Sequence, residues 1–147
     1  MNPDLDKQEV SSKTKLEQRG FQLNVGAPVT SAVSTPENVV VGFGDGTLRF
    51  FRPSLKEPDV IEAHKGVVLC MVADGNNIFT GGEDGRFLRI SNTRDINEIA
   101  NFDSRWVDSV AAFKGNFACS SGRNAYVWSL GQEKERSLEH TSTVGGL

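Results

Sequence analysis

The chain has 147 residues, enough for one ordinary domain, with 37% apolar content and charged residues that almost cancel, leaving a net charge of −3. Such a balance gives no electrostatic case for binding nucleic acid or an anionic membrane, so neither is expected as a partner. The longest apolar runs, such as 66–73, are strand-length and far below the roughly 20 residues that cross a bilayer.

In chain order, residues 1–20 are polar and unpatterned, with Leu5, Val10 and Leu16 too sparse to form a helical face. They carry no apolar core of a secretory signal. A disordered or loosely helical tail is expected, and a cytoplasmic location by default. FQLNV (21–25) then alternates as a short strand does. Strands are predicted at 29–34, 38–43, 47–51 and 59–63, with Pro53 and Pro58 in the loop before the last, where a missing N–H does least harm. A second set falls at 67–73, 77–81, 87–91 and 98–102, and a third at 106–113, 116–119, 125–129 and 136–139. Residues 143–147 begin another strand. Cys70 and Cys119 fall within strands without paired spacing, which suits reduced, partly buried thiols.

The segment FTGGEDGRFLRI (79–90) is a strand, a tight turn and a strand. In its turn, Gly85 accepts positive φ without steric cost and the Asp84 carboxylate can accept nearby backbone N–H groups. VVVGFGDGTLRFF (39–51) has the same form 39 positions earlier, and NFACSSGRNAYVWSL (116–130) repeats it 38 positions later with a turn shorter by one. A period of about 40 in strand-rich, turn-rich sequence indicates the four-stranded antiparallel blades of a β-propeller.

On these residues the chain from about Phe21 onward resembles the WD-repeat β-propeller family. Ala63-His64 stands where that family has Gly-His, Thr80-Gly81-Gly82 where it has Ser-Gly-Ser, Asp84 in the turn, and Val127-Trp128 at the end of a blade's third strand. It departs from the pattern in having no Trp-Asp dipeptide: Ser129 follows Trp128, and Phe51 and Ile90 take the tryptophan's place in the other copies. Asp103 falls where a second histidine would be, although His140 restores it one blade later. The Arg105-Trp106-Val107-Asp108 stretch is similar to degenerate bacterial versions of the repeat.

The resemblance implies an all-β fold of about three blades, 29–63, 67–102 and 106–140, with 143–147 starting another. By register, 21–25 would be the outer strand of a blade whose remaining strands come from elsewhere, usually the C-terminal end in this family. Propellers close with about four to eight blades, so the ring is incomplete. It would be closed by the remainder of a longer propeller or by other copies of the chain.

His64, Thr80 and Asp84 match the family's structural network, with Ile90 where its tryptophan would complete it. These are also the residue types of a hydrolase triad. An acid in a tight turn and a hydroxyl inside a strand favour structure, because such a cluster fixes a loop by satisfying its own donors and acceptors. No catalytic residues are assigned. Two histidines and two scattered cysteines make no zinc set. Residues 42–46 resemble a phosphate loop only in composition, since they lead into a strand and not a helix N-terminus. No metal or cofactor is expected.

Carried over by position, Lys65, Glu83, Arg105, Trp106 and Arg123 lie on the rim at the channel mouth, where peptides dock in this family. Lys65, Glu83 and Arg123 also read as solvated turn residues. Trp106 either packs inward at the start of an inner strand or stands on the rim, where an arginine beside it makes hot-spot composition. The expected function is a non-catalytic interaction module or scaffold for a protein or peptide partner. Its alternatives are a short piece that self-assembles into a structural ring, and part of a propeller enzyme whose catalytic groups lie elsewhere.

Overall fold

A computed structural model describes residues 14, 15, 18–20, 22–132 and 135–147, so the expected N-terminal tail falls mostly outside the described residues. Among the described residues, twelve strands form three antiparallel sheets of four. The first sheet, blade 1, comprises β1 (Val29–Ser34), β2 (Val39–Phe43), β3 (Thr47–Phe51) and β4 (Asp59–Glu62). Blade 2 comprises β5 (Val68–Asp74), β6 (Asn77–Gly82), β7 (Arg86–Ile90) and β8 (Ile96–Asn101), and blade 3 comprises β9 (Ser109–Phe113), β10 (Asn116–Ser121), β11 (Asn124–Ser129) and β12 (Arg136–Glu139). Neighbours in sequence are neighbours in space throughout, so each blade is a meander built from local hairpins.

The period-2 alternation of the strands sets the packing. On β6, Ile78 joins Val40, Leu48, Phe50, Leu88 and Ile90 in a core between blades 1 and 2, while the next residue, Phe79, points the other way. There it meets Phe87, Phe117, Tyr126 and Trp128 in a second core between blades 2 and 3. The Phe79 and Phe117 rings lie 4.8 Å apart, and those of Phe87 and Trp128 5.4 Å apart. Burying each such ring contributes roughly 1.5–3 kcal/mol.

Two repeated positions fix how closely the blades approach. A Cβ on Gly81 would stand 2.3 Å from the Val107 carbonyl oxygen, so only glycine lets the start of blade 3 lie against β6. Gly42 plays the same part toward Val68. Val68 and Val107 are fully buried. On the outer side, Arg94 from the β7–β8 hairpin stacks 3.8 Å above the Phe50 ring and reaches Asp59 at 3.2 Å, clasping blade 2 to blade 1.

Several strand ends shift by one or two residues, and three segments depart further from expectation. The inner strand of blade 3 begins at Ser109, because the Val107 N–H is drawn to the Gly82 carbonyl of the preceding blade (3.1 Å). Residues 143–147 form no strand, although the Val144 N–H bonds the Gly122 carbonyl at 3.0 Å. Residues 22–25 likewise form no strand, and Phe21 lies outside the described residues. A strand requires a ladder partner, and here the segment lies against blade 1: the Val25 carbonyl accepts from Arg49 Nη1 (2.8 Å), and Leu23 shares a hollow of about 180 Å³ with Val39, Phe51 and Pro53.

Candidate functional site

The loop between β4 and β5 and the turn between β6 and β7 meet at one end of the blades. His64, in that loop just after β4, is 5% exposed, and Thr80 on β6 is fully buried. The imidazole Nδ1 lies 2.8 Å from Asp84 Oδ1 and Nε2 lies 2.9 Å from Thr80 Oγ1. An ionised carboxylate can only accept, so Nδ1 carries the proton and Nε2 of the neutral ring accepts from the threonine hydroxyl. The turn reaches back in the same way: Asp84 Oδ2 accepts the Lys65 N–H (2.9 Å) and Oδ1 also accepts the Arg86 N–H (3.2 Å). A Cβ on Gly82 would sit 2.4 Å from Nδ1, so the ring occupies space that a side chain would fill.

Burial lowers the His64 pKa below 6.5 and outweighs the opposing pull of Asp84. Burial pushes Asp84 up, but the bonds from the Lys65 N–H, His64 and the Arg86 N–H together hold its carboxyl below 3.8. The network thus brings His64, Thr80 and Asp84 together as a closed cluster. Both ring nitrogens are taken and the Thr80 hydroxyl is buried. Ile90, in the tryptophan's place, belongs to the apolar core beside it.

The rim residues divide. Glu83 is not a solvated turn residue: it is half-buried and its Oε2 accepts the Val67 N–H (3.2 Å), so it secures the start of blade 2. Lys65 is exposed, and its backbone N–H is held by Asp84. Arg123 lies 3.7 Å from Glu139 with both side chains largely in solvent, an ion pair of little worth. Arg105 leans over the Phe102 ring at 5.7 Å. Trp106 is 55% exposed and does not pack inward, because its neighbour Val107 takes the buried position. The β6–β7 turn therefore has Lys65 on one flank and Arg105 with Trp106 on the other.

The joint between blades 2 and 3 lacks the polar network. Asp103 stands in the histidine's position with φ of 56°, and Cys119 stands in that of Thr80. Ser121 replaces Gly82, and its buried hydroxyl has no partner among the described residues. Aromatic packing of Phe102 on Tyr126, centroids 4.6 Å apart, takes over the role. Burial disfavours the thiolate at both cysteines: it pushes Cys70 up to about 12, and Cys119 is raised by the same cause. The arginine contacts on Phe50, Asp59 and Val25 carry no local motif, and no sequence signal marked them.

With this geometry the chain has the WD-repeat β-propeller fold, three blades of it. It matches no family model, and no curated protein matches its sequence. Among solved structures it is similar to the computationally designed Ika4 protein, with 19% identity and a TM-score of 0.72 over 87% of this chain and 81% of that one. The WD40 repeats of RRP9 match 87% of this chain at 20% identity and a TM-score of 0.69, and a chain of the mitotic checkpoint complex matches 84% at 15% and 0.65. This chain spans 42% and 43% of the length of those two.

Proposed function

We propose that the chain is a non-catalytic interaction module that takes a protein or peptide partner across the β6–β7 turn, with Trp106 as anchor and Arg105 and Lys65 as its charged flanks. The observation that carries this reading is the exposed indole of Trp106 beside a joint whose core aromatic residues, Phe79, Phe87, Phe102, Phe117, Tyr126 and Trp128, are buried. The loop that holds it is pinned by the Val107 N–H to Gly82 and by Gly85 beneath, so little ordering is needed on binding. The similarity to a chain of a multiprotein assembly supports the reading by analogy of fold.

Peptides selected from a random display library on the wild-type chain test it. Trp106→Ala should weaken the selected binders at least tenfold, about 1.4 kcal/mol, with an unchanged melting temperature because the side chain supports no core. Binders that are indifferent to Trp106→Ala and to Arg105→Ala would remove this surface from consideration.

A further inference from the structure

The residues before β1 sit where the outer strand of a preceding blade would sit. Two bonds show the correspondence. The Gly44 N–H donates to the Pro28 carbonyl at 2.9 Å, as the Glu83 N–H donates to the Val67 carbonyl at 3.1 Å one repeat later. Arg49 Nη1 donates to the Val25 carbonyl at 2.8 Å, as Arg86 Nη1 donates to the Ala63 carbonyl at 3.1 Å. Residues 22–28 thus occupy, over blade 1, the place that β4 and its following loop occupy over blade 2.

The face they cover suits another occupant, β12 of a second copy. Blade 3 turns Ala111, Ala118 and Val127 outward as cross-strand neighbours, with Phe113 69% exposed beside them. Blade 1 turns Val39, Val41 and Phe51 to its own open side. His140 is held as His64 is: its N–H bonds the Arg123 carbonyl at 2.9 Å, where the His64 N–H bonds that of Gly46 at 3.0 Å. Head-to-tail packing would bring His140 against Asp45, which corresponds to Asp84 and, like it, accepts the N–H two residues on. Two copies would supply twice the three blades found here, inside the range of about four to eight at which propellers close.

Arg49 decides between the two occupants. Its counterparts in the other blades, Leu88 and Tyr126, are buried in joints. Arg49 instead pairs with Asp45 at 3.1 Å, lies 4.3 Å over the Phe43 ring and holds Val25. We propose that residues 22–28, tethered by Arg49, are an intramolecular cap that prevents this chain from packing head to tail on copies of itself.

Arg49→Leu in the full chain removes the tether and installs the residue type of blade 2. Light scattering after size exclusion, over a hundredfold concentration range, should give a monomer for wild type and a discrete species of twice that mass for Arg49→Leu, returned to monomer by His140→Ala. If circular dichroism shows Arg49→Leu to be unfolded, the chain starting at Gly26 is read in the same way. A wild-type chain that already forms the discrete dimer overturns the cap, as does a released chain that stays monomeric, aggregates without a defined mass, or dimerises regardless of His140.

Discussion

The enclosed imidazole of His64 makes the joint between blades 1 and 2 sensitive to acid. Because burial depresses its pKa in the fold, the folded chain binds fewer protons than the unfolded one, and stability present above pH 6.5 declines as pH falls below that value. Asp84, also depressed, adds a second loss as pH falls below 3.8. Chemical denaturation at pH 8, 6 and 5 should show this decline, and His64→Ala should lower stability at pH 8 by about 2–3 kcal/mol while flattening the upper part of the profile. A variant with unchanged melting would mean that the network carries no stability. The cluster was legible in the sequence because its parts lie in a repeated motif, where His64 and Asp84 keep a fixed distance from strands of recognisable pattern. Glu83 was not legible in its role, since whether a turn carboxylate faces water or a backbone N–H depends on the loop packed against it. The exposure of Trp106 turned on one residue of register, with Val107 taking the inward place.

At the scale of the elements, the β6–β7 and β10–β11 turns each hold a glycine in the left-handed region but differ in their surroundings. Gly85 has φ of 75°, and a Cβ there would come within 2.1 Å of the Asp103 carbonyl oxygen; Gly122 has φ of 62° with open space around it. Gly122→Ala should therefore cost about 1–2 kcal/mol, the strain of an L residue in the left-handed region, and Gly85→Ala should cost severalfold more in urea denaturation. Equal losses would show that the contact between turn and loop yields without penalty. The strands were readable from their alternation and turn residues, and the spacing alone aligned the three blades. Residues 22–25 carried the same alternation yet form no strand, because pairing is a property of two segments and a pattern belongs to one.

For the whole molecule, the units of stability are the joints. Phe87 and Leu88 are adjacent on β7 and fully buried, one in each core. Phe87→Ala should cost about 3–5 kcal/mol and Leu88→Ala about 2–5. Hydrogen exchange should separate them: Phe87→Ala should speed exchange in β10 and β11, and Leu88→Ala in β2 and β3. Spread of both effects to the same strands would mean that blade 2 transmits strain as a rigid plate.

The opposed directions of Ile78 and Phe79 constrain how such a chain can evolve. A sheet whose two faces belong to different cores has no interior of its own, so a substitution that enlarges one face is compensated in the adjoining repeat and not within the same one. Duplication of a single repeat would place a copy of Phe79's face against a copy of Ile78's, a combination of faces that neither existing core contains. New repeats would therefore have to be refitted at both seams before they could stabilise the ring.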